Sequence, residues 1–342
     1  MARRTKLIIA LLLTTVSLFG QNEFKRVGKS AFGFLKISPS ARAAGMGDAF
    51  TAVANDVTTI FYNPAGLTNI ESFDFSFNHT DWIVNSSIIS GVVAMPFGRS
   101  GNLGLSFIKF DTEDFEETTV LEPEGTGRMI QAGDIALALA YAFKLTDNLS
   151  FGFKAQYIEE TIDIDKAKAI TADFSTYYRT GFRDLTLAMI MKNFGPEAKF
   201  LSDKFKLPLY FNINTAMSLI GEQGSAFQWL VSAESAFATD YRDRYHVGTE
   251  IWLADLMAIR GGYKFFYDTE DWTVGAGLKL GLGSREIIID VAYSNFVEYF
   301  DPPLRCSIGG SFKYNHVQYH YLFLMDQVRG SSGGVYDAKT LP

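Results

Sequence analysis

A chain of 342 residues that is 47% hydrophobic and 15% aromatic, with mean hydropathy +0.05, has apolar mass enough for a membrane protein. Beyond residue 20, no run approaches the roughly 18 apolar residues of a spanning helix, which excludes a helical membrane bundle. A formal charge of −7 with no basic run excludes a nucleic-acid binder held by phosphate contacts, and the single cysteine, Cys306, excludes an internal disulfide and a multi-cysteine metal site.

Residues 1–20 have the parts of an export signal: Arg3, Arg4 and Lys6, then the apolar run Leu7 to Leu18, then the small Gly20. Cleavage is expected before Gln21, which takes the formal charge to about −10. Residues 21–37 form a mixed polar lead-in. Gly28-Lys29-Ser30 looks like the end of a phosphate loop, but Glu23 stands where the first glycine belongs and no strand precedes it, so a nucleotide site is rejected.

Residues 38–67 are rich in small side chains, among them Ala41, Gly45, Gly47, Ala49 and Ala52, so this backbone can lie directly against other backbone in a confined space. Asn63-Pro64 reads as a helix start, with asparagine as N-cap and proline at the first helical position. An ordinary turn-helix in a soluble domain has the same local pattern. The periodicity of the chain beyond residue 71 decides between the two.

From residue 72 the hydrophobic period is two. In Ser72-Phe73-Asp74-Phe75-Ser76-Phe77-Asn78 the rings fall on one sheet face and the polar groups on the other, and Ile135 to Phe143 repeats the pattern with alanine on the second face. Further segments are predicted at about 86–97, 101–110, 149–160, 168–178, 182–193, 207–219, 226–237, 245–253, 257–264, 271–281, 285–296 and 304–313, about fourteen strands long enough to cross a bilayer when tilted. Short, turn-rich links such as Thr146-Asp147-Asn148 and Gly281-Leu282-Gly283-Ser284 fall at every second junction, and most links between them are longer. That sorting predicts an all-β fold, a transmembrane antiparallel barrel with periplasmic turns, extracellular loops, both termini periplasmic and residues 38–67 as a plug inside the lumen.

With Phe151, Phe153, Trp229, Trp272, Val274 and Leu278 toward lipid, the lumen receives Lys154, Gln156, Gln228, Ser232, Glu234 and Lys279, and polar groups there need water or partners. Glu250 and Arg260 fall opposite each other if the turn between them is Ala254 to Leu256, and read as a structural ion pair ahead of a ligand site. Ala136, Ala138, Ala140, Gly152, Gly248 and Gly275 leave room for the plug. The acidic loop Asp111 to Gly133 reads as a solvated surface.

Catalytic chemistry is not evident. There is no G-x-S-x-G elbow, the carboxylates are scattered, and His316 and His320 sit in an alternating segment without a carboxylate ligand set. The expectation is no enzyme, no metal and no cofactor.

Ala41 to Asp56 (ARAAGMGDAFTAVAND), Tyr62 to Leu67 (YNPAGL), Val27-Gly28 and Phe34 to Ile37 together resemble the N-terminal signature of the PorV/PorQ family, within the wider FadL-like group of outer-membrane barrels, and Lys192 to Pro196, Leu207-Pro208 and Val247 to Tyr263 are similar to later family motifs. The resemblance implies a fourteen-stranded barrel over 71–313 with a lead-in and plug at 21–70, leaving a C-terminal tail at 314–342 that such proteins usually lack. As plug-motif residues it implies Arg42, Gly45, Met46, Gly47, Asp56, Asn63, Pro64 and Gly66. It also implies one of two roles: type IX secretion, with secreted proteins bearing a C-terminal signal domain and translocon components as partners, or passage of hydrophobic small molecules through a lateral or plug-gated opening. Outer-membrane lipid is the expected surrounding in both.

Overall fold

A computed structural model describes residues 30–98, 101–296 and 300–312. The export signal expected over 1–20, the lead-in to residue 29, and the tail with His316 and His320 lie outside these residues. Fourteen antiparallel strands close on themselves: β1 (Phe73–Asp81), β2 (Ser87–Phe97), β3 (Gly101–Asp111), β4 (Ala132–Lys144), β5 (Leu149–Ile162), β6 (Asp165–Arg179), β7 (Thr186–Phe194), β8 (Tyr210–Ile220), β9 (Phe227–Ala238), β10 (Arg244–Leu253), β11 (Met257–Phe265), β12 (Glu270–Leu282), β13 (Arg285–Phe296) and β14 (Leu304–Phe312). Each pairs with its chain neighbours, and β1 meets β14 with Phe73 opposite Phe312 and Asp81 opposite Leu304, which leaves no free edge around the wall.

The alternation read from the sequence is the alternation of burial. Along β1, Ser76, Asn78 and Thr80 are buried inside while Phe77 faces out; along β5, Lys154, Gln156 and Ile158 are inside and Phe153 outside. The outer face carries Leu105, Leu137, Leu139, Met189, Ile213, Val274 and Ile308, an apolar surface far beyond what a water-soluble barrel leaves uncovered. Aromatic rings lie near both ends of this band: Phe73, Phe143, Phe151 and Phe227 by one rim, Phe194, Phe211, Phe237 and Phe265 by the other.

Two strand starts differ from the sequence expectation. β7 begins at Thr186, not 182, because Gly181 (φ 76) and Arg183 (φ 52) take left-handed conformations that carry the turn on. β8 begins at Tyr210, because Pro208 has no N–H for the ladder. Short turns occupy one rim, as at 145–148, 254–256 and 283–284; the other rim carries the longer links 112–131, 195–209 and 239–243, with a short exception at 163–164. Two small ribbons stiffen the long links, Phe115–Glu116 with Met129–Ile130 and Ala198–Phe200 with Asp203–Phe205.

The core is inside the barrel. Met46, Phe50, Ile60 and Leu67 of the N-terminal segment are fully buried against Ala140, Ala142, Ala188 and Ala216 of the wall. The segment enters from an unexpected end. A periplasmic lead-in would lie below the plug at the short-turn rim, yet residues 30–37 run along the long-loop rim, where the Ala31 amide donates to the Lys206 carbonyl at 3.0 Å and Ser30 Oγ donates to Asp240 at 2.5 Å. Phe32 and Phe34 explain this path, since they bury with Ile158, Ala198 and Leu207 in an apolar cluster at that end.

Candidate functional site

The plug is built from short pieces because the space allows nothing longer. A single turn of helix, α1 (Ala41–Gly45), follows Ser40 and packs Ala41 and Ala44 on Ala292 of β13. Backbone then meets backbone. A Cβ on Gly45 would stand 3.1 Å from the Gly275 Cα, one on Gly47 would stand 2.9 Å from the Tyr263 amide, and Gly47 is also left-handed (φ 64). On the wall, side chains at Gly248 and Gly262 would run into the Met46 and Gly47 backbone.

The second half of the plug is two 3-10 turns. Asp56 caps Val57–Phe61 by accepting from the Thr58 amide at 2.8 Å. Asn63 caps Pro64–Asn69 by accepting from the Ala65 amide at 3.0 Å, and Pro64 takes the first position, where no N–H is needed. The Asn63 amide also donates to the Thr51 carbonyl at 2.9 Å, tying the two halves together. Gly66 lies where a Cβ would meet Ala54 at 2.6 Å, and Gly152 of β5 is bare where the Pro64-Ala65 backbone crosses it.

Charge holds the plug to the wall. Arg42 donates to Glu250 twice, Nε to Oε2 at 2.8 Å and Nη2 to Oε1 at 2.6 Å, and through Nη1 to Asp56 at 2.6 Å and Asn55 at 2.8 Å. Arg260, the cross-strand partner of Glu250, donates Nε to Oε2 at 2.6 Å and Nη1 to Asp290 at 2.7 Å. Asp56, Arg42, Glu250, Arg260 and Asp290 therefore form one alternating chain of charge across the lumen. Burial works against the Arg42 charge, but Glu250 and Asp56 more than offset it and hold the guanidinium above its ordinary pKa. Nearby, Lys264 of β11 sits between Asp48 and Glu270, 2.6 Å from each. Burial opposes ionisation of Asp48, yet Lys264 outweighs it and keeps this carboxyl below the usual carboxylate range.

All eight plug-motif residues thus lie in the lumen, and Arg42 and Asp56 join Glu250 and Arg260 in one network. Sequence reading missed Asp290, Asp48, Lys264 and the buried pair Lys154–Asp173 at 2.6 Å. It also missed the cradle in which Glu234 accepts from Asn212 at 2.6 Å, Asn214 at 2.8 Å and the Thr51 amide at 3.2 Å. Alternation put Lys154 and Glu234 inside; their partners needed the turn lengths and the path of the plug.

Two cavities flank the plug. One of about 550 Å³, counting its mouth, lies toward the short turns beside Arg42, Asp56, Asp74 and Asp290. A larger one of about 800 Å³, counted the same way, opens toward the long loops among Leu35, Ile37, Tyr62, Ile108, Lys192 and Tyr210. Beside the larger cavity the ladder between β6 and β7 is interrupted: Ala172 faces Phe194 but Phe174 faces Met191, and the Asn193 amide (φ 60) donates to Asp173 Oδ1 at 2.7 Å in place of a strand partner. Among the described residues no group of three or more His, Cys, Asp or Glu side chains is arranged to hold a metal.

The chain thus forms a closed fourteen-stranded antiparallel barrel filled by its own N-terminal segment, and in fold it is similar to outer-membrane barrels of known structure. The chain is similar in structure to the monoaromatic hydrocarbon channel CymD (TM-score 0.59, 12% identity, 84% of this chain and 100% of that one). It is similar also to the toluene transporter TodX of Pseudomonas putida (TM-score 0.56, 9% identity, 87% and 100%) and to a FadL homologue of Pseudomonas aeruginosa (TM-score 0.53, 12% identity, 82% and 99%). The family model for an uncharacterised protein family, UPF0164, matches residues 13–172. No curated protein matches.

Proposed function

We propose that this protein is an outer-membrane channel for hydrophobic small molecules, closed at rest by residues 38–70, with the short turns toward the periplasm. The observation that carries the reading is a plugged barrel with an apolar cluster at its long-loop rim, around Phe34, Ile158 and Leu207, next to the larger cavity and to the interrupted β6–β7 ladder. The likeness over nearly the full length of two hydrocarbon channels supports it. An apolar solute caught at the long-loop rim can stay on apolar surface, and the broken ladder is the weakest part of the wall beside it. No step calls for catalysis.

The second reading, a partner in type IX secretion, is favoured by the N-terminal stretch from Ala41 to Asp56 and by Tyr62 to Leu67. One experiment separates them. In an outer-membrane host lacking such channels, expression is expected to raise uptake of labelled toluene or octane; no uptake, together with co-purification of secreted proteins sharing a C-terminal domain, would move the assignment to secretion.

A further inference from the structure

The larger cavity has an apolar side and a polar side. Leu35, Ile37, Phe61 and Ile108 form the first. On the second, wall side chains carry buried polar atoms with no hydrogen-bond partner among the described residues, among them Nε2 of Gln156, which is 5% exposed, and Oδ1 of Asn212, which is 9% exposed, with Tyr210 Oη and His246 Nδ1 in the same lining. The Asn212 amide is oriented by Glu234, a carboxylate that accepts its Nδ2 at 2.6 Å, so Oδ1 is the atom left over. Lys192, also lining the cavity, spends one proton on the Phe61 carbonyl at 2.7 Å and lies 5.3 Å from the centre of the Tyr62 ring, leaving a third for whatever enters.

A pure hydrocarbon would leave these donors and this acceptor unpaired in a site it had just dried. An ionised head group meets a different obstacle. Lys154 is matched by Asp173, Lys264 by Asp48 and Glu270, and Lys36 by Asp240, while Glu234 lines the same cavity as Lys192. Lys192 is in no ion pair among the described residues, but Glu234 lines the same cavity and is buried, so an added carboxylate would be set beside a second buried anion in a confined space. A hydroxyl satisfies both needs, since it accepts from Gln156 and Lys192 and donates to Asn212.

We propose that this cavity receives the neutral, hydroxyl-bearing head of an amphiphile, of the monoacylglycerol kind, whose hydrocarbon tail lies along the Leu35, Ile37 and Ile108 side. The proposal rests on the hydrophobic-channel reading and names the substrate class of that site. Equilibrium binding to the protein in phosphatidylcholine nanodiscs tests it with monooctanoylglycerol, octanoate and octane, alongside octane uptake in cells. Monooctanoylglycerol is expected to bind saturably and at least about tenfold tighter than either of the others. Gln156→Met, nearly the same size, is expected to remove most of that preference, weakening the glyceride and tightening octane, because the unpaired donor that octane would strand is gone; Gln156→Ala serves if the first variant does not fold. Octanoate binding as tightly as the glyceride overturns the proposal, as does octane binding as tightly, although octane binding leaves the channel reading standing. Glyceride binding that persists while octane uptake is absent overturns the channel reading alone.

Discussion

Arg42 of the plug and Glu250 of the wall meet side-on, with Nε on Oε2 at 2.8 Å and Nη2 on Oε1 at 2.6 Å, and Arg260 shares the Oε2 atom at 2.6 Å. One carboxylate thus serves two arginines, one that belongs to the barrel and one that belongs to the segment inside it. Removing one partner of an isolated buried pair strands the other, at about 3–5 kcal/mol, and here each member keeps a second partner that reduces the cost.

The two removals are not equal. Arg42→Leu leaves Glu250 with Arg260 and leaves Asp56, which is partly exposed, to water. Glu250→Leu leaves Arg42 with Asp56 and Arg260 with Asp290 but puts two guanidiniums together without the anion between them. Glu250→Leu is therefore expected to lower the thermal unfolding midpoint more than Arg42→Leu does, both read by circular dichroism and by loss of heat-modifiable gel mobility. Equal midpoints would show that the shared carboxylate adds nothing beyond each separate pair.

Backbone contact between plug and wall gives a second test. A methyl group on Gly262 would occupy the space of the Gly47 backbone and lie 2.4 Å from the Met46 carbonyl carbon, and this atom cannot swing away as a side chain does. Gly262→Ala is expected to loosen the plug without opening the barrel, raising conductance in planar bilayers while heat-modifiability is retained. Gly281→Ala, which meets nothing within 4 Å and lies by the short turns, is the control that should behave as the parent.

Acid should act through Asp48. Lys264 overcomes the burial of this carboxyl and holds it below its unfolded value, about 3.9. A depressed carboxyl contributes its full stabilisation above the unfolded value and loses it as pH falls through the folded one. Stability of the plugged state is thus expected to decline below about pH 4. Asp48→Asn should be less stable at pH 7 and should lose the part of the acid dependence that Asp48 supplies, as measured by melting across a pH series. A variant with the parent's acid profile would remove Asp48 from the account.

The wall was legible because a strand has a period of two and its two faces differ in polarity: Phe77, Phe153 and Trp272 had to face away from Ser76, Lys154 and Thr273. A three-residue turn at 254–256 was enough to put Glu250 opposite Arg260. The plug was legible only as composition. Its small residues implied close backbone approach, but nothing local states that Arg42 reaches Glu250, 208 positions away, or that Asp48 meets Lys264. The reversed path of residues 30–37 was hidden for the same reason: Phe32 and Phe34 look like any apolar pair until Ile158 and Leu207 are known to face them. The bulge at Asn193 leaves no mark in the alternation on either side of it.

Whether the plug must move for passage can be decided by fixing it in place. The Ala41 amide donates to Ser307 Oγ at 3.0 Å, so the two positions are neighbours across the plug–wall contact on β14. In a Cys306→Ser background, which removes the one native thiol, Ala41→Cys with Ser307→Cys is expected to cross-link on mild oxidation without altering the wall, since both positions face inward. If solute crosses by displacement of α1, oxidation should abolish octane uptake and reductant should restore it. If solute leaves sideways through the interrupted β6–β7 ladder, uptake should survive oxidation, because that gap lies beside the larger cavity and on different strands from the cross-link. The cavity toward the short turns gives a further sign: with α1 fixed, a probe thiol at Asp74, which lines that cavity, should be labelled from the periplasmic side only. Labelling of that thiol from both sides in the oxidised protein would mean that solute passes the plug without moving it.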